Sequence, residues 1–347
     1  MEKKQVRLGI VGLGNVPLAL LRYLTEETAK RTLARHSLKI IITGIATGRR
    51  GNAIDPEGLD INAVLGLGKE GLVSSLNRGS DTKTSIKFVR AVPADILFVA
   101  SPASVPSLEE IETAFERGMH VVTSNKTPIA TAYRRLSEEA SRRHLELRYG
   151  ATVLAGYPPW RHFFESAPGL EITEIEIVVN ATSNKILTMM LKERKRFDEG
   201  VSAAQKLGIA ERDPSDDVDG HDTQKKIVIL ANALMGGNLT PEDVPTEGIR
   251  GVTVEALEKA DQSGAWIHLL GHAWRDDKDD VRADVKPTEV HHPFFTQMRG
   301  TSMGLYFTTE AADFGFRLDL GAGDRAIVAT AAGVFEDILS ITRDLKR

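Results

Sequence analysis

The sequence contains no cysteine. That absence excludes disulfides, thiol nucleophiles and thiolate metal sites together, and leaves no sign of an oxidising compartment. Long apolar runs are missing too: none approaches the ~18–20 residues needed to span a bilayer. Met1-Glu2-Lys3-Lys4-Gln5 leads into a short apolar run without signal-peptide architecture. No membrane partner is expected, and the expected location is cytoplasmic. An excess of one charge is also lacking. Lys+Arg 44 against Asp+Glu 48 gives −4, so nucleic acid is not a favoured partner. One apparent cation loop fails on a single position. Ser215-x-Asp217-x-Asp219-Gly220 imitates the start of a calcium loop, but its twelfth position is Lys226 where a bidentate Glu is needed. No metal is expected.

What is present suits a globular protein of two domains. The chain has 347 residues, with 41% apolar and 27% charged residues, enough for ample core. Val6–Val11 is a β-branched run ending in Gly12-Leu13-Gly14-Asn15-Val16-Pro17, and the spacing predicts a helix from Leu18 to about Arg35. Strand, glycine turn and helix form the context of a dinucleotide fingerprint. The glycines let the backbone approach a pyrophosphate, and the helix start offers amide donors. Pro17 replaces the third glycine, which a helix's first turn tolerates. Tight-turn glycines without a nucleotide remain the alternative.

A second strand, Leu38–Ala46, ends in Thr47-Gly48-Arg49-Arg50-Gly51. Two guanidiniums and no carboxylate suit a 2′-phosphate, so NADP is preferred over NAD unless this is a solvated basic loop. Residues 52–85 read as polar and weakly helical. A buried strand, Ala94–Ala100, leads into Ser101, and a helix over Ser107–Arg117 carries early acids that match its dipole. The strand Gly118–Thr123 runs into Ser124-Asn125-Lys126. This alternation predicts an α/β fold, a Rossmann domain over residues 1–150 with ligands beyond the carboxyl ends of its strands, where Ser101 and Lys126 fall. Residues 150–159 have hinge character. From 151 to 320 an α+β domain is expected, with an alternating strand at Glu171–Asn180 and further strands at Trp266–Trp274, Val281–Val290, Met303–Thr309 and Phe314–Leu320. The tail 321–347, with Gly321-Ala322-Gly323, returns to a helical pattern.

The stretch Glu211 to Lys226 stands apart. Its first half, with six acids in twelve residues, a Pro and a Gly, reads as a loop. Its continuation from Ile227 to Met235 is apolar on every face, as in a buried helix. Asp222 and Lys226 therefore sit one turn apart at the mouth of that helix. An exposed i,i+4 pair is the plain alternative to a functional one.

The glycine turn, Ser124-Asn125-Lys126, Asn180-x-Thr182-x-Asn184-x-Ile186-Leu187 and Glu211 through Lys226 together resemble the homoserine dehydrogenase family, over nearly the whole chain. The resemblance implies a short form without the regulatory ACT domain. It further implies NAD(P)-dependent interconversion of L-homoserine and L-aspartate 4-semialdehyde, on a Rossmann domain joined to a dimerising catalytic domain. Lys226, Lys126 and Asp222 match catalytic positions; Glu211, Asp217 and Thr182 match substrate-binding ones. The cofactor set is Gly12, Gly14, Asn15, Val16, Arg49, Arg50, Ser101, Lys126 and Gly323. A homodimer is implied. Ala181, Lys185 and Ile209 stand where members have a glycine, an aromatic and a tyrosine. They leave another short amino or hydroxy acid as an alternative substrate, and a non-catalytic NADP-binding protein as the non-enzyme alternative.

Overall fold

The first apolar run, Lys4–Val11, is the strand β1, buried along its second half on both faces. The computed structural model describes residues 3–344 except 69, 80, 81, 103–105, 158 and 320–324. Around β1 lie β2 (Leu38–Ala46), β3 (Asn52–Ile54), β4 (Ile96–Val99), β5 (His120–Thr123) and β6 (Leu147–Arg148), in the order β3-β2-β1-β4-β5-β6. All pairs are parallel except β2 with β3. Parallel strands covered on both faces bury continuous apolar runs, which is why these were readable in the sequence. β3 was not foreseen within the polar stretch 52–85. It is an edge strand of three residues whose placement depends on a side chain: Asn52 accepts from Thr47 N at 3.0 Å and donates to Thr82 O at 2.9 Å.

The helix expected from Leu18 to Arg35 is two helices, Asn15–Thr25 and Glu27–Arg35. The chain breaks at Glu26, which takes extended backbone angles, φ −75° and ψ 151°. From Ile327 onward the C-terminal helix, Arg325–Asp344, belongs to the same body. Its Ala331, Val334, Phe335, Ile338 and Leu339 are buried in one core with Leu8, Ile10, Leu20, Leu21 and Phe98. Full burial of each large apolar side chain contributes roughly 1.5–3 kcal/mol. The passage from Gly150 is fastened to that helix: Gly150 N donates to Asp337 Oδ2 at 2.9 Å. A Cβ at Gly156 would lie 2.9 Å from Gly333 Cα, so only glycines allow this approach.

Two compact units result, Met1–Pro159 with Ile327–Arg347, and Trp160–Ala326, so residues 151–159 lie in the first. The second unit holds an antiparallel sheet of β7 (Ile172–Val178), β8 (Trp266–Arg275), β9 (Val281–Val290), β10 (Met303–Thr309) and β11 (Phe314–Leu318), ordered β11-β10-β7-β8-β9. The helix His221–Met235 packs across β7, β8 and β9. Gly271 of β8 permits the contact, since a Cβ there would lie 3.1 Å from Thr223 Cγ2. A second helix, Ala181–Glu193, starts directly after β7. No helix among the described residues is long and apolar enough to cross a membrane.

Candidate active site

In the second unit, two helix starts converge. Asn180 caps the Ala181 helix by accepting from Ser183 N at 2.8 Å, which satisfies one of the helix's unpaired first amides. The same side chain donates to Asp217 Oδ1 at 2.6 Å and to Asp222 Oδ2 at 3.0 Å. Asp217 lies in a single helical turn, Ser215–Val218, inside the stretch expected to be loop. Gly220, at φ +89°, then turns the chain into the His221 helix, which presents Asp222 in its first turn. Lys226 Nζ donates to Asp222 Oδ2 at 2.6 Å and to Val179 O at 2.7 Å. The two side chains are only 12% and 10% exposed, so the exposed-pair alternative does not hold. Lys225, one residue earlier, pairs instead with the exposed Asp216 at 2.6 Å.

Burial pushes the Asp217 carboxyl above its usual range, and the neighbouring Asp222 carboxylate adds to the effect. Thr182 is buried at the same helix start, its hydroxyl 3.3 Å from Ile209 O, and its hydrogen bond to Asp217 opposes that shift. Glu211 is different. It is exposed, its backbone carbonyl accepts from Gln205, and its carboxylate joins none of the cluster's hydrogen bonds. Sequence reasoning quoted Asn180 in the family motif but gave it no role in the site. Its cap position was readable, but its bridge between two acids 37 and 42 residues away was not.

In the first unit, Gly12 ends β1 at φ +92°, and a Cβ there would lie 2.4 Å from Ala100 O. Glycine is therefore required where β1 and β4 part, the crevice that serves nucleotides in such sheets. The Asn15 helix begins with no side-chain cap, and Pro17 in its first turn has no N–H. Gly14 and Asn15 are exposed, Val16 half-buried, and a Cβ at Gly14 would meet nothing within 4 Å. Open amides beside an uncrowded glycine fit a dinucleotide's phosphates. The two arginines behave differently. Arg50 Nη2 donates to Leu13 O at 2.9 Å and Nη1 to Gly68 O at 2.8 Å, tying the glycine turn to the loop after β2. Arg49 is exposed and has no hydrogen-bonded partner among the described residues.

Beyond β4 and β5 the loops are laced together. Ser101 Oγ donates to Glu110 Oε2 at 2.7 Å, and Ser101 O accepts from Asn125 Nδ2 at 3.0 Å. Asn125 in turn caps the helix Lys126–Arg142 through Thr127 N at 3.1 Å. Lys126 is the first residue of that helix and is half-buried. Gly323 lies outside the described residues.

The sequence profile of homoserine dehydrogenase matches residues 158–339. The chain is 33% identical to the homoserine dehydrogenase of Methanocaldococcus jannaschii over 343 residues, 97% of this chain and 99% of that one. It is 32% identical to the NAD(+)-dependent homoserine dehydrogenase of Pseudomonas canavaninivorans, covering 99% of this chain and 98% of the other. A hyperthermophilic archaeal homoserine dehydrogenase in complex with NADPH superposes with a TM-score of 0.82 at 27% identity, over 98% of both chains. Relatives and fold agree over nearly the full length and the profile over residues 158–339, and the chain belongs to the homoserine dehydrogenase family.

Proposed function

We propose that this protein interconverts L-homoserine and L-aspartate 4-semialdehyde, in threonine and methionine biosynthesis, with NADP preferred over NAD. The observation that carries the reading is the cluster of Asp217, Asn180, Asp222 and Lys226, in which two acids share one amide and only one of them bonds the lysine. An amino-acid substrate brings the second cation that such a cluster calls for. In this reading Asp217 receives the substrate ammonium, with Glu211 on the exposed rim as a further acid, and Thr182 receives the carboxylate.

Lys226 is the proton donor. An ammonium has three N–H groups, of which Asp222 and Val179 engage two, so one remains for the substrate oxygen. In reduction it protonates the developing alkoxide; in oxidation the neutral amine takes the hydroxyl proton. Asp222 holds the amine in place through their hydrogen bond, and Lys126 is the second catalytic lysine that the family resemblance implies. A nicotinamide cofactor, when bound, would supply the hydride for reduction of the aldehyde carbon and would take it up in oxidation of the alcohol. Gly12, Gly14 and the amides of Asn15 and Val16 would hold its pyrophosphate, Ser101 and Lys126 would lie on its nicotinamide side, and Arg49 would take the 2′-phosphate. Arg50 would support the glycine turn.

A spectrophotometric comparison of homoserine with related short amino and hydroxy alcohols, using NADP and NAD, tests this. Homoserine should give the highest kcat/KM. If homoserine turned over negligibly while another alcohol turned over well, the substrate assignment would fall. Cofactor binding without turnover of any compound would favour a non-catalytic role.

A homodimer through the second unit's sheet belongs to the same proposal. The His221 helix covers one face, while Glu174, Glu176, His272, Trp274 and Tyr306 stay half-buried, a surface that a second copy would cover. Light scattering at micromolar concentration should give twice the chain mass; a monomer would contradict it.

A further inference from the structure

The helix Ser107–Glu116 turns Ser107, Glu110, Ile111, Ala114 and Phe115 inward, and all five are buried. Glu110 is 0% exposed. A carboxyl group is a costly occupant of such a stripe, because burial removes its water. One oxygen is compensated by Ser101 Oγ, while the other, Oε1, has no hydrogen-bond partner among the described residues. A leucine would fill that space and deprive only the Ser101 hydroxyl of its acceptor, so packing does not account for Glu110.

Its hydrogen bond to Ser101 leads toward the crevice. Ser101 follows Ala100, whose carbonyl presses on Gly12, and Ser101 O accepts from Asn125 Nδ2. Asn125 Oδ1 accepts from Thr127 N, and Asn125 N donates to Thr123 Oγ1, which donates to Val99 O at 2.8 Å. A continuous chain of hydrogen bonds thus runs from the buried face of the Ser107 helix to the backbone that carries Lys126. A serine hydroxyl has one proton to donate and two lone pairs to accept with. Ser101 commits its proton to Glu110.

We infer that Glu110 is a positioning residue for the nicotinamide cofactor: it turns the Ser101 proton inward, so that the Ser101 oxygen meets the cofactor only as an acceptor, and it anchors the Ser101–Asn125 link that seats Lys126. The group that Ser101 recognises is then a hydrogen-bond donor of the nicotinamide riboside, a ribose hydroxyl or the carboxamide NH₂, and not a phosphate oxygen. The inference rests on the cofactor reading above.

Titration calorimetry with NADPH and thermal melting of the full chain test it, comparing Glu110→Leu, Glu110→Gln, Ser101→Ala and the Ser101→Ala/Glu110→Leu double variant. Glu110→Leu should melt at or above the parent temperature yet bind NADPH about tenfold more weakly, the effect of one lost polar contact. Glu110→Gln keeps an acceptor for Ser101 and should restore most of the affinity. Because Glu110 acts through Ser101, the double variant should bind no worse than the weaker single one. Normal NADPH affinity in Glu110→Leu, or additive losses in the double variant, would overturn the inference. Should Glu110→Leu fail to fold, normal NADPH affinity in Ser101→Ala overturns it equally. Binding is read without an alcohol substrate, so a failure of homoserine to turn over leaves this test standing and is told apart from it.

Discussion

Lys226 Nζ lies 2.6 Å from Asp222 Oδ2, one helical turn away, with both side chains nearly enclosed. The adjacent Lys225 reaches the exposed Asp216 over the same distance. Adjacent lysines of one helix therefore enter a buried pair and a surface pair.

That contrast gives the first prediction. Lys226→Ala should lower kcat by roughly two or more orders of magnitude, the usual contribution of a positioned acid–base group. Breaking a buried pair typically costs ~3–5 kcal/mol, but here Asn180 continues to donate to Asp222, so the loss should be smaller and the protein should stay folded. Lys225→Ala removes a surface pair worth ~0–1 kcal/mol and should leave turnover near normal. Circular dichroism with steady-state kinetics checks both. Equal behaviour of the two variants would remove Lys226 from the reaction.

The arginines after β2 should separate as well. Arg49→Ala should weaken NADPH binding and leave NADH binding nearly unchanged, because only NADPH carries the 2′-phosphate. Arg50→Ala should weaken both, since Arg50 holds Leu13 of the glycine turn and Gly68 together. Dissociation constants for the two cofactors decide. An equal loss of both in Arg49→Ala would return that residue to a solvated loop.

Asp217 makes a pH-dependent prediction. Burial and Asp222 raise its pKa above 3.8, so the folded state holds a proton that the unfolded state releases. Stability linked to this group is present below pH 3.8 and declines as pH rises through the raised value. Asp217→Asn should remove that decline and melt higher than the parent at pH 7, while kcat/KM for an amino-acid substrate falls. Melting curves from pH 4 to 8 provide the check. A variant that melts lower at pH 7 would mean the carboxylate is favourably solvated in the fold.

Asn180→Ala should be costly on two counts. It removes a helix cap, worth ~0.5–2 kcal/mol, and leaves the buried Asp222 and the half-buried Asp217 short of a donor, at ~1–3 kcal/mol each where no other partner compensates. Urea denaturation should show a clear loss, with turnover reduced because Asp222 is no longer held. A loss confined to about the cap value alone would show that the bridge carries little.

The outline of this molecule was legible because its signals are local. β1, β2, β4 and β5 are apolar runs closed by glycine or polar turns, and the Asp222–Lys226 spacing puts both side chains on one face of a helix. What escaped depends on partners far along the chain. β3 is set by Asn52 with Thr47 and Thr82; the break at Glu26 interrupts an otherwise continuous helical pattern. Early acids in the Ser107 helix read alike as dipole partners, although one of them, Glu110, is fully buried against the sheet.

By itself, then, the sequence determined the family, the α/β first body, the antiparallel second sheet and the lysine–aspartate helix, since periodicity and short motifs are properties of neighbouring residues. Only the tertiary structure decided that Asn180 joins Asp217 to Asp222, that Arg50 is tied to carbonyls while Arg49 is free among the described residues, and that Glu110 lies behind Ser101. Each of these is a hydrogen bond, or its absence, and a hydrogen bond requires its donor and acceptor within about 3 Å. Residues distant in sequence meet that condition only once the sheets and helices have packed.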